Sequence, residues 1–327
     1  MDPTNRHLTH LAELLVRYPT VVLSGERMAQ ELGVTRSTVW RSMEQLRALG
    51  VRLRGHAASG YQLESMPDLL LPSLVLPALR SGALGRRLHH AFRIDSTQRW
   101  ALEAAAAGEP HGSLYVAEEQ TAGRGRQGHT WHSPASTGIY CSLLLRPPGP
   151  PSGLLPLTLG AGVAVAEAIR ATTGLRPDVR WPNDIMLGGK KCGGLLLEMA
   201  GDPMRIQHAV LGIGINVNQL DFGELAPIAT SLRLEGGKPV SRAQLLSEVL
   251  RQLDAGYEMF AHGGSADLLA DFCRLSSYAD GREVQVGSGA EAYTGVTAGL
   301  DELGFLRVRC PDGSVTVVLN GEVRPVS

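Results

Sequence analysis

The sequence has little net charge and few cysteines. Its 31 lysine and arginine residues nearly balance 32 aspartates and glutamates, which leaves a net charge of -1. This balance excludes a global basic field, so any contact with nucleic acid must come from a local patch. Cys141, Cys192, Cys273 and Cys310 lie far apart and form neither a CxxC pair nor a Cys/His cluster. We therefore expect free, mostly buried thiols and no structural zinc or other metal site.

The sequence also lacks a recognisable targeting segment. The N-terminal stretch MDPTNRHLTH has no apolar signal core, and we expect no apolar run near the ~20 residues that span a bilayer. Free thiols fit a reducing compartment, so we expect a cytoplasmic protein without membrane contact. A hydrophobic content of 43% over 327 residues is enough for a sizeable core and for two or three domains.

The first 65 residues have the spacing of a helix-turn-helix. LTHLAELLVRYP predicts a helix that ends before Pro19, SGERMAQELGV a short helix that ends at Gly33, and TRSTVWRSMEQLRALG a third helix capped by Thr35. VRLRGHAASGYQLES predicts two strands that would form a basic wing. The predicted DNA contacts are the polar and basic residues of the third helix and the wing: Thr35, Arg36, Ser37, Thr38, Arg41, Arg52 and Arg54. The alternative interpretation is a small helical bundle that only caps the protein, because its helices can have the same spacing in the sequence.

Changes in composition divide the chain into four segments. They are a winged helix-turn-helix domain at 1–66, a proline-punctuated linker with one short helix at 67–83, a mixed-sheet α/β domain at 84–276 and an SH3-like β-barrel at 277–327. The central segment contains strand-like runs such as SLYVAEEQ and GIYCSLLLR, and two long helices, one ending at Gly174 and one capped by Ser241. The predicted fold class is therefore α+β.

The motif TAGRGRQGHTW has the composition of an anion-binding loop. Gly123, Gly125 and Gly128 let the backbone approach a ligand closely, while Arg124 and Arg126 offer planar donors for a phosphate or a carboxylate. The motif is neither a Walker loop nor a Rossmann fingerprint. A solvated glycine–arginine turn remains the alternative.

Two further motifs follow in the same segment. VRWPNDIMLGGKKCGGLLLE contains Asp184, a candidate general base or holder of an amine, and Lys191, a candidate partner for a carboxylate or phosphate. GIGINVN ends a strand with small residues and the amide of Asn216. An Asx turn, a solvated lysine pair and a packed strand end are the alternatives. No Ser/His/Asp or Cys/His constellation is evident.

Together, GRGRQG followed by Trp131, RWPND, KKCGGLLLE and GIGINVN resemble the biotin protein ligases in order and spacing. The resemblance covers nearly the whole chain, and the two terminal domains resemble those of the bifunctional class that also represses the biotin operon. It implies a class II synthetase-like central domain that uses biotin, ATP and Mg²⁺ to form biotinyl-5′-AMP. Biotin then passes to a lysine of a biotin carboxyl carrier protein. The resemblance also implies a homodimer that forms on adenylate binding and binds operator DNA.

The resemblance assigns roles to individual residues. Arg126 and Lys191 would neutralise the reacting anions, and Asp184 would orient or deprotonate the acceptor lysine. The predicted biotin contacts are Ser96, Thr97, Gln98, Gln120, Gly123, Arg124, Gly125, Arg126, Lys191, Gly193 and Gly194. The predicted ATP and adenylate contacts are Arg126, Gln127, Gly128, Trp131, Asn183 and Asn216. The loop would fold over the intermediate, with Trp131 against the adenine.

This chain departs from the family's usual pattern at three of these positions. Gln98 stands where the family usually has asparagine, Gln127 replaces a commonly basic residue, and Gly193 replaces a common alanine. We expect Gln98 either to cap a helix or to reach biotin.

Two alternative functions remain open. One is a transcription regulator whose ligase-like domain only senses a small molecule. The full set of predicted cations counts against it, and formation of an adenylate would exclude it. The other is a lipoate ligase on the same fold. GRGRQG and KKCGG favour biotin, and competition between biotin and lipoate for binding would decide.

Overall fold

The structure, a computed structural model, describes residues 3–56, 59–79, 82–287, 292–319, 321 and 323–326. The first part of the fold is the N-terminal unit. This unit contains α1 (Pro3–Arg17), α2 (Gly25–Leu32), α3 (Arg36–Ala48), β1 (Arg52–His56) and β2 (Gly60–Ser65). The predicted helix-turn-helix and the two wing strands are confirmed.

Local capping explains where these helices begin and end. The side-chain oxygens of Ser24 and Thr35 accept hydrogen bonds from backbone N–H groups in the first turns of α2 and α3. Gly33 ends α2 in the left-handed conformation, with a φ of 64°. On α3 the side chains of Val39, Met43 and Leu46 are buried against α1 and α2, which leaves the opposite face to solvent.

The segment after the wing is packed rather than extended into solvent. It contains the predicted short helix, α4 (Pro72–Val75), and the side chains of Leu69, Leu70 and Leu71 are fully buried. Leu69 and Leu71 join the core of the N-terminal unit, whereas Leu70 joins the core of the central domain. The segment therefore connects the two cores through its own side chains.

The central domain is built on a mixed seven-stranded sheet. Its strands are β3 (Arg87–Ala91), β4 (Ser113–Ala117), β5 (Gly138–Leu145), β6 (Asp178–Arg180), β7 (Asp184–Leu187), β8 (Lys190–Gly201) and β9 (Ile206–Asn216). The order is β3-β4-β5-β9-β8-β7-β6, with β3 and β4 parallel and the other neighbours antiparallel. The predicted mixed sheet is confirmed.

Helices cover both faces of this sheet. They are α5 (Thr97–Ala106), α6 (Leu155–Thr173), α7 (Leu232–Gly236), α8 (Arg242–Ala261) and α9 (Ser265–Leu275). Side chains of a strand alternate between faces, so Leu143 and Leu145 join the main core with α6, while Leu144 packs under α5.

Helix α6 corrects the expectation about apolar runs. The stretch Pro151–Thr173 has 23 residues and is long and apolar enough to cross a bilayer by length and composition. Its most apolar window is 78% buried inside the protein. Because α8 and α9 cover α6 on one side and the sheet on the other, the helix needs no polar face. The run is accounted for as a core helix.

The C-terminal domain is an antiparallel sheet that packs on the central core. Its strands are β10 (Asp280–Val286), β11 (Tyr293–Leu300), β12 (Leu306–Arg309), β13 (Val315–Val318) and β14 (Val323–Pro325), in the order β13-β12-β11-β10-β14. The predicted β-rich C-terminal domain is confirmed. Trp181 Nε1 donates a hydrogen bond of 3.0 Å to the carbonyl oxygen of Gly304, and Leu306 and Val308 join the main core.

The thiols are less buried than expected. Cys141 and Cys192 lie in the central sheet and are buried, and burial raises the pKa of Cys141 to about 12. Cys273 is exposed and Cys310 half-buried, because they lie on the outer side of α9 and just after β12.

Candidate active site

A cavity of about 510 Å³ lies between the central sheet, the glycine–arginine loop and the C-terminal domain. Most of the predicted ligand contacts line it, although they come from separate parts of the chain. They are Ser96, Thr97, Gln98, Gln120, Arg124, Gly125, Arg126, Gln127, Trp131, Asn183, Asp184, Lys191, Gly194 and Asn216. The structure thus brings the motifs into one site. Gly123, Gly128 and Gly193 lie outside this lining.

One end of the cavity is polar and uncharged. Thr97 donates hydrogen bonds from its N–H and its Oγ1 to Oε1 of Gln120, at 2.8 and 3.1 Å, and Nε2 of Gln120 donates to Ser133 Oγ at 2.9 Å. Ser96 Oγ is buried and has no hydrogen-bond partner among the described residues. A buried hydroxyl without a partner is costly, so a polar ligand atom at this end would satisfy it.

Gln98 does not cap α5. Its Nε2 donates to the carbonyl oxygen of Val210 at 3.1 Å, and its Oε1 accepts a hydrogen bond from Ser142 Oγ at 3.0 Å. A Cβ atom at Gly212 would come within 2.6 Å of that Oε1. The longer amide therefore fits because the facing strand position has no side chain.

Ser142 is a site residue that the sequence reasoning missed. Its fully buried hydroxyl lies 3.0 Å from Thr97 Oγ1 and also contacts Gln98, and it lines the cavity. The signal for it was present, since one serine stands in the apolar run GIYCSLLLR.

The glycine–arginine loop folds back on itself over the cavity. Gly125 N–H donates to the carbonyl oxygen of His129 at 2.7 Å, and Trp131 N–H donates to that of Gly123 at 2.9 Å. A Cβ at Gly123 would lie 2.4 Å from the Trp131 carbonyl oxygen, so this glycine permits the fold of the loop itself. Gly128 turns the chain with a φ of 79°.

Gly193 permits close packing of the central sheet rather than ligand approach. A Cβ atom there would lie 3.2 Å from the carbonyl oxygen of Gly214 and from Cβ of Ile185. Its neighbour on β8, Gly194, is the one that faces the cavity.

Trp131 lies across the glycines of β8 and β9. A Cβ atom at Gly214 would come within 2.5 Å of the indole, so glycine is required there for this ring position, and one at Gly194 would make a tight contact of 3.3 Å. Lys191 Nζ lies 5.7 Å from the ring centroid. The indole Nε1 is buried and unpaired within the described residues.

The other end of the cavity is charged. Lys191 Nζ lies 2.5 Å from Asp184 Oδ1, and Arg126 Nη1 donates to Asn183 Oδ1 at 3.2 Å. Burial lowers the pKa of the Arg126 guanidinium, and the charge of Asp184 opposes this shift. Among the described lining residues Asp184 is the only carboxylate, so this end attracts anions.

Two further predicted residues, Arg124 and Asn216, contact other parts of the central domain. Arg124 Nη1 lies 3.7 Å from Glu198 Oε1. Asn216 is buried, and its Nδ2 donates to the carbonyl oxygen of Thr230 at 3.1 Å.

Two walls of the cavity were not predicted. One is an apolar segment after β9 with Phe222, Leu225 and Ile228, and the other consists of Arg180 on β6 and Arg324 in the C-terminal domain. These residues reach the cavity through tertiary packing. Only Arg180 lies within a motif that the sequence analysis singled out, RWPND, which gave it no role.

The predicted DNA contacts lie on the exposed face of α3 and on the wing. Arg36, Ser37, Arg41 and Arg52 are exposed, and Thr38 is half-buried. Thr35 is engaged in the cap of α3, and Arg54 Nε lies 2.8 Å from Glu64 Oε1. The side chain of Trp40, for which the sequence left core and surface open, is 59% exposed.

Three family models match the chain. The biotin/lipoate A/B protein ligase family matches residues 91–216, a helix-turn-helix domain matches residues 7–62, and the biotin protein ligase C-terminal domain matches residues 281–323. The central fold and its cavity are therefore those of a biotin or lipoate ligase.

Similar proteins narrow this class. The chain is 37% identical over 313 residues to the bifunctional ligase/repressor BirA of Bacillus spizizenii, covering 93% of this chain and 94% of that protein. It is 30% identical to that of Escherichia coli over 302 residues, covering 92% of both. The biotin protein ligase from Aquifex aeolicus in complex with biotin and ATP has a TM-score of 0.65 and 31% identity, covering 74% of this chain and 100% of that one. The chain belongs to the bifunctional ligase/repressor family of biotin protein ligases.

Proposed function

We propose that the protein is an ATP-dependent biotin protein ligase that also represses transcription. One observation carries the catalytic part: a single cavity joins a neutral polar end, which suits a urea-like ring, to a cationic end, which suits a carboxylate and a phosphate. The solved structure with biotin and ATP among its relatives supports the same pair of substrates.

In the first half-reaction, biotin binds with its ring at the neutral end, where Ser96 Oγ supplies an unused hydroxyl. Its carboxylate oxygen attacks the α-phosphorus of ATP, and the bond to pyrophosphate breaks. Lys191 and Arg126 bring the two anions together by neutralising their charge. Mg²⁺ would share the negative charge of the ATP phosphates. Bound to ATP it would need few protein ligands, which suits a cavity whose described lining has one carboxylate, Asp184.

In the second half-reaction, a lysine amine of a biotin carboxyl carrier protein attacks the mixed anhydride and displaces AMP. The amine must first lose a proton, and Asp184 is the carboxylate placed to orient it or to accept that proton. The ion pair with Lys191 holds Asp184 in position between the two steps.

The glycine–arginine loop and Trp131 exclude water from the anhydride. The loop covers the cavity through its own backbone hydrogen bonds, and Trp131 lies across the strand glycines beneath it. Water exclusion protects a reactive intermediate from hydrolysis.

The N-terminal unit binds operator DNA. Exposed Arg36 and Arg41 on α3 and Arg52 on the wing supply the local basic patch that the net charge of the chain does not. A palindromic operator requires two such units, so the protein acts as a homodimer that forms when the adenylate is bound. It works in the cytoplasm, where ATP and the carrier are available.

Mass spectrometry of the protein incubated with biotin, ATP and Mg²⁺ tests the catalytic proposal. We expect the protein to retain biotinyl-5′-AMP. In a separate competition experiment we expect biotin to exclude lipoate from the cavity. Binding of biotin without formation of an adenylate would leave a ligand-sensing regulator instead. A gel shift with the DNA upstream of the protein's own operon, with and without the adenylate, tests the repressor.

A further inference from the structure

Arg180 is a cavity residue to which no role has been assigned. It ends β6 and lines the cavity, and its guanidinium carbon lies 4.1 Å from the ring centroid of Tyr278. Its Nε is buried without a hydrogen-bond partner, and no ion pair within the described part of the chain includes it. The N–H groups of a guanidinium point outward in its own plane. When the group stacks on an aromatic ring, these N–H groups therefore stay free to bind an anion.

The surroundings of Arg180 fix it in place. The next residue, Trp181, donates its indole N–H to the C-terminal domain at Gly304. At the other end of β6, Asp178 accepts hydrogen bonds of 2.7 Å from both N–H and Oγ of Ser277. Hydrogen bonds at both ends of β6 therefore connect it to the C-terminal domain, at Gly304 and at Ser277 next to Tyr278.

The other cations of the cavity already have partners within the chain. Lys191 pairs with Asp184, Arg124 lies 3.7 Å from Glu198, and Arg126 binds the amide oxygen of Asn183. Arg180 is thus the cavity arginine whose buried donor has no partner, and a triphosphate brings more negative charge than the paired cations can balance.

The order of the strands places Arg180 on the side where the leaving group must depart. The neutral end of the cavity follows β4 and includes Ser142 on β5, Lys191 lies on β8, and Arg180 lies on the edge strand β6. Neighbouring strands are about 4.8 Å apart, so β4 and β6 are separated by roughly 24 Å across the sheet. Attacking and leaving oxygens lie roughly in line at phosphorus, so a carboxylate arriving from the β4 side expels pyrophosphate towards β6.

We propose that Arg180 binds the β- and γ-phosphates of ATP and the pyrophosphate that is released. It takes up the negative charge that develops on the bridging oxygen as that bond breaks. The role of Arg180 rests on the proposed function, because it presupposes that the cavity forms an adenylate.

The test compares Arg180→Gln with Arg176→Gln, a matched control at an exposed arginine outside the cavity. Three quantities are measured: the dependence of adenylate formation on ATP, its inhibition by added pyrophosphate, and the transfer of biotin from supplied biotinyl-5′-AMP to the carrier. For Arg180→Gln we expect kcat/KM for ATP and the affinity for pyrophosphate each to fall roughly tenfold or more. Biotin affinity and transfer from the supplied adenylate should stay within about twofold of wild type, and the control should match wild type throughout.

The outcomes separate the proposal from its alternatives. An Arg180→Gln variant with unchanged ATP dependence and pyrophosphate inhibition would overturn it. An equal loss in both half-reactions would also overturn it, since the arginine would then only support the fold. Partial recovery of pyrophosphate inhibition in Arg180→Lys, which keeps the charge, would support it. If the wild-type protein neither forms the adenylate nor transfers biotin from supplied biotinyl-5′-AMP to the carrier, the proposed function itself is refuted.

Discussion

The clearest energetic prediction concerns a buried carboxylate between the N-terminal unit and the central domain. Glu118, just after β4, is fully buried, and its Oε2 lies 2.8 Å from Nη1 of Arg242 on α8, which is buried too. Its Oε1 accepts a hydrogen bond of 2.7 Å from Leu70 N–H and lies 3.3 Å from Nε2 of His90. Nδ1 of His90 lies 3.1 Å from Oγ1 of Thr9 on α1. One carboxylate therefore connects the helix-turn-helix unit, the segment after the wing and the central sheet.

The charges around Glu118 set the size of its contribution. Burial alone would raise its pKa, but the charge of Arg242 and the hydrogen bonds from His90 and Leu70 outweigh burial and hold it at about 2, below the usual 4.5. One pKa unit corresponds to about 1.4 kcal/mol. The difference between the folded-state pKa and the usual pKa of Glu118 therefore contributes about 3 kcal/mol to the free energy of folding. Removing one partner of a buried ion pair typically costs about 3–5 kcal/mol, which agrees in size.

The test is urea denaturation of Glu118→Gln, with Glu119→Gln as the control. At pH 7 we expect the free energy of unfolding of Glu118→Gln to be lower by about 3 kcal/mol, because the charge of Arg242 is left with only half-buried Asp68. Glu119 pairs with Arg93 at the surface at 3.2 Å, so its substitution should cost less than about 1 kcal/mol.

The pH dependence provides a second check on the same variant. The folded-state pKa of Glu118 lies below its unfolded value, so the carboxylate stabilises the fold above about pH 4.5, and this stabilisation is lost as the pH falls towards 2. His90, Arg242 and Tyr140 face the same carboxylate. The difference between wild type and Glu118→Gln should therefore narrow across this range. A difference below about 1 kcal/mol at pH 7, or one independent of pH, would refute the reasoning.

The remaining predictions concern ligand and DNA binding. Lys191→Ala should reduce adenylate formation roughly 100-fold or more, measured by mass spectrometry, because it removes the charge that neutralises the reacting anions. Arg126→Gly should release biotinyl-5′-AMP, which an added amine traps as a biotin amide; release equal to wild type would contradict this. Gly214→Ala should weaken ATP binding roughly tenfold or more in calorimetry, because its Cβ would displace Trp131 from the position where it would meet the adenine. Arg41→Ala should weaken operator binding and reduce the dependence of log K on log salt by about one in gel shifts.

Matched variants control for general damage. Lys190→Ala removes the neighbouring lysine, whose Nζ donates to the carbonyl oxygen of Ala226, and should leave adenylate formation near wild type. Gly256→Ala adds a Cβ on α8 that would meet only Leu268 at 4.0 Å, and should leave ATP binding unchanged. Arg47→Ala removes an arginine already paired with Glu44 at 2.5 Å and should affect DNA binding less than Arg41→Ala.

Local signals made the N-terminal unit predictable from the sequence. Ser24, Gly33 and Thr35 bound the helices through contacts within a few residues, and the apolar stripe of α3 fixes its buried face. The site motifs were predictable for a similar reason, since glycine, arginine and the Asn-Asp pair already limit what their backbone and charge can do. The resemblance then assigned them to one cavity.

The features that were missed depend on contacts between distant parts of the chain. Arg242 and Asp68 are 174 residues apart, so the sequence shows an ordinary arginine at the start of a helix. Arg180 lies inside the recognised motif RWPND but was given no role, because only the packing of β6 against Tyr278 shows its place in the cavity. Apolar content alone could not distinguish the core helix α6 from a membrane span, because its covering by α8 and α9 is a tertiary property.

The segment from Glu118 to Gln120 explains how one fold can join ligand binding to the position of the DNA-binding unit. Gln120 holds the neutral end of the cavity through Thr97. Glu118, two residues earlier, contacts His90, which in turn contacts Thr9 of the N-terminal unit. The chain bends at Glu118, and residues two apart lie at most about 7 Å from each other. A change in the contacts of Gln120 therefore acts on a backbone that is also fixed by a buried ion pair, so the cavity and the interdomain contact share one rigid element.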